Sequence, residues 1–137
     1  MKTVLAFGTF DLLHPGHAAY LRQAAALGDY LIVVVARDVN VQRIKSKQAR
    51  QTEIERKDGV NKQLKSQGIE GEAVLGFKRR RLSVIKKYKP DIIALGYDQS
   101  INEEKLCEEI EALGLKIKIK RLHSHYPEKY KTSLMVK

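Results

Sequence analysis

The sequence predicts an α/β protein whose doubly wound, mostly parallel sheet lies in a single domain spanning residues 1–137. Short apolar runs suited to buried strands alternate with helical stretches along the chain, which is the pattern of strand–helix–strand units. The length of 137 residues and the apolar content of 43% suit one domain with one core.

The first quarter of the chain predicts one strand–helix–strand unit. A strand is expected over Thr3–Phe7, because Val4, Leu5 and Ala6 form a continuous apolar run, as a parallel strand covered on both faces requires. Pro15 suits the first position of a helix, and the alanine- and leucine-rich stretch after it continues to Leu27, with Gly28 as its stop. Tyr30–Ala36 is a second apolar run, so we expect a second buried strand there.

The rest of the chain continues this alternation. A helix is expected over 52–67, because Thr52 suits the N-cap and Glu55 lies at capping-box spacing, while Gly59 weakens the helical pattern. The later elements are, in order, a strand over 72–75, a helix over 82–88, a strand over 91–95, a helix over 102–113 and an edge strand over 116–120. This order predicts a Rossmann-like sheet.

The charge of the chain bears on its partners. It has 26 Lys and Arg residues against 16 Asp and Glu residues, a formal net charge of +10. Such a surplus favours nucleic acid or phosphorylated small molecules as partners, or it marks a solvated basic surface. The basic residues are scattered and do not alternate with aromatic ones, as a platform for single-stranded nucleic acid would require.

The location expected from composition is the cytoplasm. No apolar run approaches the ~20 residues of a membrane span, and the first run, Thr3–Phe7, is too short for the apolar region of a signal peptide. The single cysteine, Cys107, cannot form an internal disulfide, which fits a reducing compartment.

The strongest local feature is Phe10-Asp11-x-x-His14-x-Gly16-His17, which lies between the first predicted strand and helix. Ligands of open α/β sheets bind at the carboxyl ends of strands, where a helix N-terminus offers N–H groups to phosphate oxygens. Two histidines three residues apart can both donate to a phosphate whose negative charge grows during phosphoryl transfer. Helix capping or surface placement would be the better interpretation only for a lone histidine.

With Gly8 and Thr9 included, this segment resembles the nucleotide-binding motif of the cytidylyltransferase-like nucleotidyltransferase superfamily, and the resemblance covers nearly the whole chain. Its members include glycerol-3-phosphate cytidylyltransferases, phosphopantetheine adenylyltransferases and archaeal FAD synthases. The resemblance implies that His14 and His17 contact the triphosphate and stabilise the pentavalent transition state. It implies nucleotide contacts for the rest of the loop, namely Gly8, Thr9, Phe10 and Gly16.

The resemblance also implies an acceptor side. Asp11 matches an acidic position where a metal or the acceptor would bind, with a turn-forming role as the alternative. Arg37 and Lys45 follow the second strand, in a segment where the family has a lysine that binds the acceptor phosphate or the triphosphate. Arg37 is a candidate for acceptor binding, and Lys45 for acceptor binding and catalysis, with a solvated surface lysine as the alternative for Lys45. Arg56 lies where the family often has a helical arginine; acceptor binding and a surface ion pair are equal alternatives.

Two further segments carry predicted contacts. Gly96-Tyr97-Asp98-Gln99 resembles the Gly-x-Asp-Gln of archaeal FAD synthases, so Asp98 is a candidate for ribose or acceptor binding, with a strand-end turn as the alternative. The family's Arg-Thr-x-Gly-Ile-Ser-Thr/Ser motif is interrupted by the loop 123–131. Of its phosphate-binding residues we carry over those listed last: Arg121, Thr132 and Ser133.

The lengthened loop 123–131 is similar to that of archaeal FAD synthases. In that pattern Tyr126 would flank a flavin ring, although loop tyrosines also serve in packing. The resemblance therefore implies an FMN adenylyltransferase, in which the FMN phosphate attacks the α-phosphate of ATP in line and yields FAD and pyrophosphate.

A divalent cation, Mg²⁺, should bridge the triphosphate, because this ion prefers phosphates and few carboxylates. A homodimer is also implied by the resemblance. Two alternatives stay open. The first is a glycerol-3-phosphate cytidylyltransferase that uses CTP. The second is a non-catalytic nucleotide- or RNA-binding module, which the basic charge would favour.

Overall fold

A computed structural model of the chain describes residues 1–11, 13, 15–38, 51–76, 81–96 and 102–122. Within these ranges five strands form one sheet: β1 (Thr3–Gly8), β2 (Tyr30–Val35), β3 (Gly71–Leu75), β4 (Ile92–Leu95) and β5 (Lys118–Arg121). The helices described are α1 (Pro15–Ala25), α2 (Glu53–Ser66), α3 (Arg81–Tyr88) and α4 (Glu103–Ala112). Among the described residues, no helix is both long and apolar enough to cross a membrane.

The strand order is β3-β2-β1-β4-β5, and all four neighbouring pairs are parallel. The chain winds from β1 towards β3 on one side and returns through β4 to β5 on the other. This order confirms the predicted doubly wound α/β fold.

Both faces of the sheet are covered, which explains why its central strands are apolar throughout. Successive strand residues point to opposite faces, so alternate residues of β1 belong to two cores. One core joins Val4 and Ala6 to the buried residues of α1 and α2, namely Leu21, Ala24, Val60 and Leu64. The other joins Leu5 to the buried residues of α3 and α4, namely Val84, Ile85, Leu106 and Ile110.

The start of α2 has the predicted capping box. Thr52 Oγ1 accepts a hydrogen bond from the Glu55 backbone N–H at 3.1 Å, and Glu55 Oε1 accepts one from the Thr52 N–H at 2.9 Å. The helix continues through Gly59 and is followed by Gly68, which has a φ of 68°. The pattern therefore predicted both ends of α2.

Helix α1 and strand β5 differ from their predicted bounds by two residues at one end, more than the other elements do. Helix α1 ends at Ala25 because the chain tightens there, with i→i−3 bonds from the N–H of Leu27 to Ala24 O and of Gly28 to Ala25 O. Strand β5 is the predicted edge strand, shifted to Lys118–Arg121. The lysines of β5 are exposed while Ile119 packs against the second core.

The sheet opens at one point along its carboxyl edge. Strand β1 pairs with β2 as far as Gly8 and Val35, whereas its pairing with β4 ends at Ala6 and Ala94. Helices α1 and α2 cover one face, and α3 and α4 cover the other, so the direction of winding reverses between β1 and β4. Such a switch point is where open α/β sheets bind ligands.

Candidate active site

The predicted loop between β1 and α1 lies at this switch point. Gly8 is the last residue of β1, and α1 begins at Pro15. The first N–H groups of a helix have no partner within the helix and favour anions. Gly16 and His17 lie in this first turn, and their predicted contacts with the triphosphate stay predictions.

Phe10 determines the shape of this loop. Its backbone has a φ of 56° and its side chain is 3% exposed. A bulky residue in this region is strained and persists only when its surroundings hold it. Here the ring packs against the His17 ring, with centroids 5.5 Å apart, and stacks on the Tyr20 ring at 6.1 Å.

This packing shows what two of the loop residues do for its shape. The Phe10 ring belongs to the first core and supports His17, so the predicted nucleotide contact of Phe10, which stays a prediction, would be made by its backbone. The nucleotide contact predicted for Gly8 also stays a prediction. A Cβ at Gly8 would lie 2.5 Å from Cε2 of Phe10, so the glycine is required to make room for that ring.

Tyr20 completes the support of the loop, and sequence reasoning missed it. Its hydroxyl group lies within hydrogen-bond distance of two carbonyl oxygens, Phe7 O at 3.2 Å and Ala94 O at 3.0 Å. Position 20 lies one helical turn after His17, which is a signal that the two side chains share a face. The hydroxyl's partners depend on the β1–β4 pairing, which the sequence pattern does not specify.

Asp11 joins the loop to the beginning of α2. Its Oδ1 accepts a hydrogen bond from the Gln51 N–H at 2.9 Å. Its predicted role in binding a metal or the acceptor stays a prediction. Among the residues that the structure describes, no group of three His, Cys, Asp or Glu side chains could hold a metal ion.

Arg37 lies at the carboxyl end of β2, as expected for the acceptor side. Its Nε donates to Gly76 O at 2.6 Å, and its Nη1 lies 3.3 Å from Glu53 Oε2. The other oxygen of Glu53 accepts from the Asp38 N–H at 3.0 Å. These bonds fix the ends of β2 and β3 against the first turn of α2, and acceptor binding by Arg37 stays a prediction.

Arg56 requires a correction. Its side chain is 0% exposed and bonds to the protein through Nε, Nη1 and Nη2. It forms an ion pair with Asp38 at 2.6 Å, but this pair is not the surface pair considered above, since the guanidinium group is enclosed. The same enclosure argues against the direct acceptor contact that the resemblance implies.

Arg121 reaches the other side of the switch point. It is the last residue of β5, and its Nη1 donates to Gly96 O at 2.8 Å. Its Nη2 lies 3.7 Å from Glu103 Oε2 at the start of α4. The guanidinium group therefore lies beside the end of β4, and its predicted phosphate contact stays a prediction.

The described part of the site thus gathers two groups of residues at the carboxyl edge. The β1–α1 loop and α1 contribute Thr9, Asp11, Gly16 and His17, and Arg121 lies on the other side. Six predicted site residues lie outside the described residues: His14, Lys45, Asp98, Tyr126, Thr132 and Ser133.

Known proteins share this sequence pattern. Residues 5–137 match the family model described as cytidylyltransferase-like. The FAD synthase of Methanosarcina barkeri is 48% identical over 122 residues, which are 89% of this chain and 84% of that protein. The FAD synthase of Ferroglobus placidus is 45% identical over 90% of this chain and 78% of its own length. That of Aciduliprofundum boonei is 42% identical, with 91% and 80% covered.

Solved structures share the fold. A crystal structure described as the lipopolysaccharide core biosynthesis protein from Thermoplasma volcanium is 38% identical, with a TM-score of 0.82 over 91% of this chain and 98% of that one. A protein of unknown function from Archaeoglobus fulgidus superposes with a TM-score of 0.73 over 90% of each chain. At 22% identity, the second similarity supports the fold alone.

Proposed function

This chain belongs to the cytidylyltransferase-like family, and within that family we propose that it is an FMN adenylyltransferase, which converts ATP and FMN to FAD and pyrophosphate. The observation that carries the proposal is the similarity to FAD synthases, at 42%, 45% and 48% identity over about nine-tenths of the chain. These relatives favour adenylyl transfer over cytidylyl transfer.

The reaction is a single displacement at phosphorus. A phosphate oxygen of FMN attacks the α-phosphorus of ATP and forms the new P–O bond, while the bond from this phosphorus to the oxygen that bridges to the β-phosphorus breaks. Pyrophosphate leaves with that bonding pair. Because a phosphomonoester has a second pKa of about 6, FMN is already anionic at neutral pH. No protein nucleophile or strong base is needed.

The chain's own contribution is positioning and charge stabilisation. The first N–H groups of α1, which begins at Pro15, and the His17 ring are the proposed donors to triphosphate oxygens. The Phe10 ring packs against the His17 ring on one side, which restricts the orientations open to it. His14 is proposed to add a second donor. Arg121 would approach the nucleotide from the β4 side of the switch point.

Mg²⁺ is part of the proposal. The described residues fit it only as an ion held mainly by the substrate, because they contain no three-ligand cluster, and Mg²⁺ bound by one or two carboxylates plus phosphates is common. Asp11 is the carboxylate at the loop that would hold it. When bound, the ion would neutralise part of the triphosphate's charge.

The experiment that tests the proposal is product identification. Purified protein is incubated with Mg²⁺, either ATP or CTP, and either FMN or glycerol 3-phosphate, and the products are measured by mass spectrometry. FAD and pyrophosphate from ATP and FMN are the expected products. CDP-glycerol as the main product would overturn the acceptor and the base. Salt-sensitive RNA binding without pyrophosphate release would overturn the enzymatic assignment.

A homodimer and a cytosolic location complete the proposal. Within the described residues β5 lies at the edge of the sheet, and such an edge would offer a second copy a surface to dock on. The exposed Cys107, the single cysteine of the chain, fits a reducing compartment. Sedimentation equilibrium should give twice the chain mass of 15.6 kDa. A mass of one chain at micromolar concentration would contradict the dimer.

A further inference from the structure

We propose that Arg56 is a positioning residue for nucleotidyl transfer, which fixes the nucleotide loop and the acceptor side of the site relative to each other. The catalytic part of this inference rests on the proposed function. The geometric part rests on the contacts of Arg56 alone and stands independently of the substrates.

Arg56 is exceptional in its burial. Of the charged residues that the structure describes, it alone is fully buried, with 0% of its surface exposed. A buried charge is costly unless it is paired and hydrogen-bonded. Because Arg56 meets this requirement through several bonds, it holds the groups around it in fixed positions.

Its hydrogen bonds reach three separate segments of the chain. Nη1 donates to Thr9 O at 2.9 Å and to Ala36 O at 2.7 Å. Nη2 donates to Asp38 Oδ1 at 2.6 Å, and Nε donates to Gln51 O at 3.2 Å. A planar guanidinium group has five N–H donors in a fixed arrangement. Here that arrangement holds the ends of β1 and β2 and the residue before the α2 cap in one geometry.

One side of this arrangement is the nucleotide loop. Thr9 directly precedes Phe10, whose φ of 56° is strained and whose ring supports His17. A bond to the Thr9 carbonyl therefore helps to hold the loop in the conformation that directs the His17 ring.

The other side is the predicted acceptor site. Ala36 and Asp38 flank Arg37, and Gln51 carries the N–H that binds Asp11. In-line attack requires the two substrates to be aligned closely, and a displacement of about 1 Å can cost about 100-fold in rate. A single side chain that fixes both sides is suited to maintain this alignment without touching either substrate.

The test compares Arg56→Lys with Lys62→Gln, a matched control at an exposed position of the same helix. Lysine retains the charge but cannot bond to four oxygens in a plane. We expect kcat of Arg56→Lys to fall by at least ~10-fold while the KM for FMN changes by less than ~3-fold, since misalignment acts on the chemical step. Lys62→Gln should match the wild type in both.

A second readout does not require turnover. In hydrogen-exchange mass spectrometry, peptides covering Thr9–Phe10 and Ala36–Asp38 should exchange faster in Arg56→Lys than in Lys62→Gln. If Arg56→Lys does not fold, Asp38→Asn replaces it, because this change weakens one partner of Arg56 at a side chain that is 38% exposed. For Asp38→Asn we expect a smaller loss in kcat, of about 3-fold.

Three results would decide against parts of this account. A raised KM for FMN with unchanged kcat would mean that Arg56 binds the acceptor directly. A folded variant with unchanged kcat and unchanged exchange would exclude positioning. If the wild type makes no FAD from ATP and FMN, the proposed function fails, and the exchange comparison still decides whether Arg56 fixes these segments.

Discussion

The hydroxyl group of Tyr20 lies 3.0 Å from the carbonyl oxygen of Ala94, and so links α1 to the strand across the switch point. The Phe7 carbonyl lies 3.2 Å from the same hydroxyl. The β1–β4 pairing ends at Ala6 and Ala94, where backbone groups need other partners. Tyr20 thus supplies a hydrogen-bond donor at the point where the sheet opens.

Tyr20→Phe should destabilise the protein by about 1–2 kcal/mol, because it removes the hydroxyl while keeping the ring that stacks on Phe10. Urea unfolding measures the change. Tyr88→Phe, on α3 and away from the switch point, is the control and should change stability by less than about 0.5 kcal/mol. Equal losses of stability in the two variants would mean that the hydrogen bond of Tyr20 to the Ala94 carbonyl does not contribute measurably to stability.

His17→Ala should lower kcat by at least ~100-fold, because it deletes a donor proposed to stabilise the charge that develops on the transferred group. The same loss is expected for His14→Ala. The rate of FAD formation at saturating ATP and FMN checks both. The control is Cys107→Ser at an exposed position of α4, which should keep the wild-type rate. Near-normal turnover of either histidine variant would remove it from the mechanism.

Gly8→Ala should destabilise the protein by about 1–3 kcal/mol, because the new Cβ would lie 2.5 Å from the Phe10 ring. Displacing this ring also removes the support of His17, so kcat should fall. Combining Gly8→Ala with Phe10→Leu tests the cause by a double-mutant cycle. If the two free-energy changes simply add, the clash with Phe10 is not the reason for the glycine.

Gly59→Ala should stabilise the protein by about 0.5–1 kcal/mol, since Gly59 lies inside α2 and alanine favours helix. A Cβ there would make only an ordinary contact, 3.5 Å from Cδ1 of Leu13. Gly71→Ala is the opposing case, because its Cβ would lie 2.2 Å from Leu31 O in the β2–β3 pair. In urea unfolding, the free energy of unfolding should be highest for Gly59→Ala, intermediate for the wild type and lowest for Gly71→Ala.

Local patterns predicted the elements well because their causes are local. The capping box of Thr52 and Glu55 depends on residues three positions apart, and the apolar runs of β1 and β2 follow from burial on both faces. The position of the motif between β1 and α1 followed from the same patterns, so His17 was found at the correct place in the fold.

Contacts between residues far apart in the sequence could not be predicted from the sequence. The bonds of Arg56 join residues 47, 20 and 18 positions apart, and no spacing rule connects them. The sequence favoured either a ligand or a surface role for Arg56 because buried arginines are rare. The hydroxyl partner of Tyr20 lies 74 positions away, and it becomes visible only once β4 is known to lie beside β1.

The reversal of winding between β1 and β4 divides the chain into two contiguous portions, one up to β3 and one from α3 onwards. The first portion holds His17 and all the described partners of Arg56, while the second holds Ala94, Gly96 and Arg121. Neither portion alone contains the residues on both sides of the switch point. If the chain were severed between β3 and α3, ATP would therefore promote reassembly of the two fragments, because a ligand that binds only the joined form stabilises that form.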